Sequence, residues 1–254
     1  MTQKLQDRVA VITGAGGGFG EGMALHFARL GARVVVADWR GDAAEAVAAA
    51  IVAEGGQALA VTVDVTSDAE VRAMVEATQA RFGRLDILVN NAGTTHRNQP
   101  MLGVDEATFD RLYATNVKSL YLTTRHAVPV MRAQGGGVIV NIASTAAERP
   151  RPGLVWYSGT KGAVVTLTKG MAVELAPDRI RVNAINPVMG ETGLFADFLP
   201  GENTEATRAR ILATIPLGRF SRPLDIAHAA AFLASDEASM VTGVALEVDG
   251  GRCI

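Results

Sequence analysis

Seven short apolar runs, alternating with longer helix-like segments almost to the end of the chain, limit what this sequence can fold into. The runs are RVAVIT (8–13), RVVVAD (33–38), ALAVTVDV (58–65), LDILVNN (85–91), GVIVNIAS (137–144), IRVNAINP (180–187) and ALEVDG (245–250). Near-continuous Val, Ile and Leu predict strands covered on both faces, as in a parallel sheet. Alanine-rich or periodic segments lie between them, near 18–31, 41–54, 67–82, 105–134, 157–176 and 223–235. This alternation predicts a doubly wound α/β fold with helices on both faces of the sheet.

No linker, repeat or shift of composition divides the chain, so residues 1–254 are expected to form one domain. A chain of 254 residues, 48% hydrophobic, can bury a large core. The least regular part, 188–222, follows a strand end and is expected to be a substrate loop or lid.

A formal charge of -2 argues against nucleic acid or an acidic membrane as the main partner. The sequence has no apolar run of 18 residues, and MTQKLQDRVAVITG has no signal-peptide core. One cysteine, Cys253, cannot form an internal disulfide, which fits a reducing, cytoplasmic setting. Four scattered histidines and one cysteine have no metal-ligand spacing, so no metal site is expected.

The first strand runs into Thr13-Gly-Ala-Gly-Gly-Gly-Phe-Gly20. The spacing is Gly14-x-x-x-Gly18-x-Gly20, not G-x-G-x-x-G, because position 19 is Phe19. Glycines permit positive φ and close backbone approach, and a helix N-terminus offers free N–H groups to a pyrophosphate. Asp38 ends the second strand, 18 residues beyond Gly20. A carboxylate there can accept hydrogen bonds from an adenosine ribose and would repel a 2′-phosphate, which favours NAD over NADP. Trp39 and Arg40 follow it, and Arg40 could instead turn toward a phosphate.

Further along stands Tyr157-x-x-x-Lys161, in LVWYSGTK (154–161). Helical spacing places the two side chains on one face, and Val164, Leu167, Met171 and Leu175 continue an apolar stripe that stops before Pro177. Tyrosine is a poor base at its ordinary pKa of about 10. A lysine ammonium nearby is expected to lower that by roughly 1–3 units. Ser144 lies at a predicted strand end, where open parallel sheets bind ligands.

In this order TGAGGGFG, Asp64 in VDVT, NNAG (90–93), Asn116 in YATNVKS, Ser144 in NIAST, Tyr157-x-x-x-Lys161, Pro187…Thr192 and VDGG (248–251) resemble the short-chain dehydrogenase/reductase family over nearly the whole chain. The resemblance implies a Rossmann-type fold with a mostly parallel seven-stranded sheet. It also implies an NAD(P)-dependent oxidoreductase that interconverts an alcohol and a carbonyl, with Tyr157 as general acid–base. In that reading Ser144 polarises the substrate oxygen. Lys161 binds the nicotinamide ribose, and Asn116 holds a water that links Lys161 to solvent. Gly14, Gly18, Phe19, Gly20, Asp38, Trp39, Asp64, Val65, Asn91, Ala92, Gly93, Pro187 and Thr192, with Tyr157 and Lys161, would line the dinucleotide. One departure is visible: the family commonly has Pro-Gly where Pro187 is followed by Val188. A homotetramer, with 244–254 at an interface, is expected on the same ground.

The segments TTHRNQP (94–100), RPGLVWYSGTK (151–161), GETGLFADF (190–198) and PLGRFSRP (216–223) are similar to family members of the 4-formylbenzenesulfonate dehydrogenase type. Members that act as 3-oxoacyl-carrier-protein reductase or sugar dehydrogenase share the likeness. His96, Arg97, Arg149 and Arg151 follow strand ends, so one or more of them is expected to bind a carboxylate or sulfonate, with Trp156 stacking on an aromatic ring. A non-catalytic dinucleotide-binding protein is the alternative of another class. A serine hydrolase is disfavoured, because Ser144 lies in IASTA with no G-x-S-x-G elbow.

Overall fold

The computed structural model describes residues 3–254. Seven strands are present: β1 (Val9–Thr13), β2 (Arg33–Asp38), β3 (Gln57–Thr62), β4 (Ile87–Asn90), β5 (Gly137–Ile142), β6 (Ile180–Pro187) and β7 (Ala245–Val248). They form one sheet in the order β3-β2-β1-β4-β5-β6-β7. Every pairing is parallel, where the sequence predicts a mostly parallel sheet. Strand order reverses between β1 and β4, which opens a crevice at their C-terminal ends, the usual ligand site of such sheets.

Among the described residues eight α-helices flank the sheet: α1 (Gly18–Arg29), α2 (Gly41–Ala53), α3 (Asp68–Phe82), α4 (Glu106–Tyr113), α5 (Ser119–Ala133), α6 (Val155–Leu175), α7 (Glu205–Leu212) and α8 (Pro223–Ala234). Because side chains alternate along a strand, β1 sends Ala10 and Ile12 to one face and Val9 and Val11 to the other. The first face packs on Met23 and Phe27 of α1, Ile51 of α2 and Ile226 of α8. The second packs on Met74 of α3, Met131 of α5 and Leu175 of α6. Each such side chain contributes about 1.5–3 kcal/mol on leaving water, so the two apolar layers stabilise the sheet from both faces. Local signals set the helix ends. Ser67 accepts from the Glu70 N–H at the start of α3, Gly83 takes the left-handed φ of 76° at its end, and Asp105 caps α4 through the Thr108 N–H.

Two segments differ from the sequence reading. The periodic stretch 105–134 is not one helix, because a π turn over Ala114–Lys118 separates α4 from α5. The segment 188–222, expected to be irregular, contains α7, a helical turn at Ala196–Phe198 and its own apolar cluster of Val188, Phe195, Leu199, Ile211, Ile215 and Phe220. Helix α7 is hard to read in sequence because it buries only Ile211 and has no apolar stripe. Val188, where the family commonly has glycine, is buried in this cluster. This segment, 188–222, forms a flap closed at its base by a bridge between Gly190 and Ser221.

Candidate active site

The crevice at the C-terminal ends of β1, β2, β4, β5 and β6 opens into a cavity of about 1100 Å³. The glycine turn forms one end. Gly14 and Gly18 have φ of 63° and 57°, which L side chains rarely adopt. A Cβ at Gly20 would lie 2.2 Å from the Gly14 carbonyl oxygen, and one at Gly14 would lie 2.8 Å from Ala92 Cα. The glycines therefore let β1, α1 and the loop after β4 close on one another. Gly17 begins α1 with no side chain bonding the first-turn N–H groups, so these donors face the cavity free of any protein cap. This arrangement fits a dinucleotide pyrophosphate.

Asp38 is 4% exposed. Its Oδ2 accepts the Gly16 N–H at 2.8 Å, and its Oδ1 accepts the Arg40 N–H at 3.0 Å and Arg40 Nε at 3.4 Å. Gly16, overlooked in the sequence, is required here, because a Cβ would lie 2.9 Å from the Asp38 carboxylate. Arg40 also donates to the Gly16 carbonyl at 3.4 Å, so its guanidinium lies back along the glycine turn beside Asp38. Trp39 is 73% exposed at the rim.

Val65 and Asp64 border the cavity beside β2. Asp64 Oδ1 is engaged by the Thr66 backbone and hydroxyl. The Asn91 side chain works inward: Nδ2 donates to the Thr13 and Gly14 carbonyls, stapling β4 to β1. Ala92, Gly93, Phe19, Pro187 and Thr192 also line the wall, Thr192 lying against Gly18.

At the other end of the cavity, Tyr157 and Lys161 rise from the first turns of α6, both buried. Lys161 Nζ donates to the Ile142 carbonyl at 2.8 Å and sits 5.9 Å from the centre of the Tyr157 ring. Burial pulls its ammonium down to about 8. Burial pushes the Tyr157 phenol up to about 12, against a hydrogen bond from Ser144 and the positive charge of Arg151. The sequence reading expected Lys161 to lower this phenol. Within the chain itself desolvation wins, and the opposing cation is Arg151. Phe198 of the flap meets the Tyr157 ring edge to face, with centroids 5.2 Å apart.

Asn116 lies in the π turn and is 1% exposed. Its Oδ1 accepts the Thr94 N–H at 2.8 Å, while Nδ2 donates to the Thr94 carbonyl at 2.9 Å and to Thr160 Oγ1 at 3.0 Å. The turn is thus anchored to the loop after β4 and to α6 between Tyr157 and Lys161. Thr94 and Thr160 are functional partners that no motif in the sequence signals.

The five candidate substrate residues separate. Arg149 and Arg151 line the cavity. His96, Arg97 and Trp156 do not: His96 is buried with Nδ1 on the Arg97 carbonyl, and Arg97 is exposed. Trp156 donates Nε1 to the Met101 carbonyl at 3.0 Å and stands edge-on to Phe109 of α4. An indole held this way is engaged with α4 and the Met101 turn and is not part of the cavity wall. Among the described residues no cluster of His, Cys, Asp or Glu could hold a metal ion, and no helix is long and apolar enough to cross a membrane.

A parallel sheet in this order, with a glycine-lined crevice, buried Tyr157, Lys161 and Asn116, and Ser144 beside them in the cavity wall, defines a nicotinamide-dependent oxidoreductase. The chain belongs to the short-chain dehydrogenase/reductase family; the family model described as enoyl-(acyl carrier protein) reductase matches residues 14–252. It is 52% identical over 250 residues to 4-formylbenzenesulfonate dehydrogenase of Comamonas testosteroni, covering 98% of this chain and 99% of that one. It is 40% identical over 251 residues to cis-4-hydroxycyclohexanecarboxylate dehydrogenase of Sinomonas cyclohexanicum, covering 99% and 98%. Among solved structures it is similar to a 3-ketoacyl-(acyl-carrier-protein) reductase of Brucella melitensis complexed with NADH. That match has TM-score 0.92 and 50% identity, over 98% of this chain and 100% of that chain.

Proposed function

We propose that the protein is an NAD-linked dehydrogenase of a small aromatic alcohol, reversible toward the aldehyde, with Tyr157 as the general acid–base. The observation that carries this is the placement of Tyr157: a buried phenol beside the Ser144 hydroxyl, under the Phe198 ring, in the wall of the dinucleotide crevice. The relative that acts on 4-formylbenzenesulfonate supports the aromatic substrate.

When bound, the oxidised nicotinamide supplies the acceptor for the hydride leaving the carbinol carbon. The Tyr157 phenolate takes the proton from the alcohol oxygen, and Ser144 donates a hydrogen bond that holds this oxygen in place. The Lys161 ammonium favours the phenolate as charge develops on Tyr157. Asn116 holds the loop carrying Gly93 against Lys161, where the proton leaves toward solvent; a Cβ at Gly93 would lie 3.4 Å from Asn116 Oδ1 and 3.5 Å from Lys161 Nζ. Phe198 and Met189 present an apolar wall for a substrate ring.

Asp38 selects NAD. A 2′-phosphate at this position would meet a buried carboxylate already satisfied by Gly16 and Arg40. The test is steady-state oxidation of benzyl alcohols, followed by nicotinamide absorbance with NAD and with NADP. We expect NAD to be preferred, and Asp38→Ala to lower the preference by about 10-fold or more through loss of charge-assisted hydrogen bonds to the ribose. Equal use of both cofactors by the unaltered enzyme would remove the role given to Asp38.

A second reading, reduction of a 3-oxoacyl thioester, draws on the Brucella structure. Turnover of a 3-oxoacyl thioester in preference to every benzyl alcohol and benzaldehyde would favour it. We also propose a homotetramer, since Tyr121 on α5 and Leu167 and Val173 on α6 are exposed apolar side chains on neighbouring helices; light scattering measures the mass. The single Cys253 accords with a reducing, cytoplasmic setting.

A further inference from the structure

Three arginines line the cavity on the side of Ser144 and Tyr157: Arg149 and Arg151 from the loop after β5, and Arg252 from the C-terminal tail. Many of the protein's other arginines are paired, as Arg29 is with Glu54, Arg132 with Asp178 and Arg219 with Asp225. Among the described residues none of these three forms an ion pair with a carboxylate side chain. Arg149 has a structural task, donating to the Arg252 carbonyl at 2.7 Å and the Ile254 carbonyl at 3.4 Å, which ties the tail to the loop. Arg252 Nη1 is buried with no hydrogen-bond partner.

Asp249 favours the Arg252 charge through space but makes no ion pair with it. Asp249 uses Oδ1 for the Gly251 N–H and Oδ2 for the Cys253 N–H, each at 2.8 Å. Those bonds shape the tail around Arg252, and the Gly250 carbonyl accepts the Leu217 N–H, joining the tail to the flap. Burial lowers the affinity of both guanidiniums for their protons, and each is lowered further by a neighbouring arginine: Arg151 by Arg252, and Arg252 by Arg149. Like charges brought together at a partly dry wall, with the buried Arg252 Nη1 donor left unmade, are disfavoured until an anion enters between them. Guanidinium forks match the oxygens of a carboxylate or sulfonate.

We infer that Arg151 and Arg252 form a clamp for an anionic group, carboxylate or sulfonate, on the ring of the substrate remote from the reacting carbon. This rests on the dehydrogenase reading above and adds to it a residue from the C-terminal tail. The clamp orients the ring so that its carbinol reaches Tyr157 and Ser144, and it distinguishes charged from neutral aromatic alcohols.

The test compares three alcohols, 4-(hydroxymethyl)benzenesulfonate, 4-(hydroxymethyl)benzoate and benzyl alcohol, on the full-length enzyme and its Arg151→Gln, Arg252→Gln and Arg252→Lys variants. The readout is the ratio of kcat/KM for each anion to that for benzyl alcohol, with KM for NAD measured alongside. Loss of a charge-assisted hydrogen bond should lower that ratio by about 10-fold or more in each Gln variant, chiefly through KM. Arg252→Lys should restore part of it, since charge returns without the fork. The anion giving the larger ratio in the unaltered enzyme identifies the group. Free benzenesulfonate should inhibit benzyl alcohol oxidation competitively, more weakly in the variants. The clamp is overturned if the ratios do not change, if the variants alter KM for NAD and not for the anions, or if benzyl alcohol loses as much kcat/KM as the two anions. An unaltered enzyme that oxidises none of the three alcohols refutes the aromatic dehydrogenase reading itself, a separate outcome. A variant that fails to bind NAD is set aside in favour of the other arginine, which tests the same clamp.

Discussion

The two ends of the cavity are built in opposite ways. At the dinucleotide end, Gly14, Gly16, Gly18 and Gly20 work by having no side chain, and the crevice is shaped by backbone, uncapped helix donors and one carboxylate, Asp38. At the substrate end the wall is made of side chains from places far apart in sequence: Arg151 after β5, Phe198 in the flap and Arg252 in the tail. The loops bearing them are joined to one another, as where Asn98 takes the Asp197 carbonyl and Gln99 takes the Gly153 carbonyl. Backbone recognition suits a ligand that is always the same, whereas side-chain walls change specificity without disturbing the sheet.

Tyr157 stands at the junction of the two ends, and its substitution should have the largest effect. Tyr157→Phe is expected to lower kcat by about 10²–10⁴-fold, the usual range for a general acid–base, while NAD binding, followed by nucleotide fluorescence, persists. Loss of NAD binding in this variant would mean that the two ends are not separable. The pH dependence has a definite sign. With the phenol pushed up to about 12 by burial, the phenolate needed for oxidation is scarce at neutral pH. Alcohol oxidation should therefore rise with pH toward the phenol's pKa, while carbonyl reduction, which needs the protonated phenol, should fall only as that pKa is approached. Oxidation independent of pH across the alkaline range would exclude Tyr157 as the base.

Lys161→Met sharpens the comparison through stability. Burial holds the Lys161 ammonium at about 8 against an ordinary 10.5. A depressed lysine destabilises the fold fully below about 8, and stability recovers as pH rises toward 10.5. The variant should thus be more stable than the unaltered protein at pH 7, by up to about 3 kcal/mol, with the difference shrinking toward pH 10. Thermal melts in the absence of nucleotide measure this. A constant difference at all pH values would show that the ammonium is not penalised by burial. The smallest effect is expected at Trp156. Its indole points away from the cavity, so Trp156→Phe should change KM for aromatic alcohols by less than about threefold, as for substitutions away from a site. A larger rise would return Trp156 to the substrate wall.

Much of the dinucleotide end was legible in the sequence, because backbone demands leave marks in residue type. A strand followed by clustered glycines, and a carboxylate closing the second strand, can be read from RVAVITGAGGGFG and RVVVAD alone. The Tyr157/Lys161 pair was legible for a similar reason, since both lie on one turn of one helix. Asn116 was found through the order of motifs, but its π turn was not. That turn is held by Thr94 and Thr160, and partners 22 and 44 residues away leave no local pattern.

The sequence by itself determined the strand–helix alternation, the glycine turn, Asp38 and the helical Tyr–Lys pair, because each follows from periodicity or backbone freedom within a few residues. Tertiary structure alone decided which arginines line the cavity beside Tyr157. It set the half-exposed Trp156 against Phe109 of α4 and left Arg97 in solvent. It also brought Arg252 from the tail to within electrostatic reach of Arg151, 101 residues away. The physical reason is that charge and ring contacts at this end depend on where loops meet after the sheet has closed, and residue order along the chain does not encode that meeting.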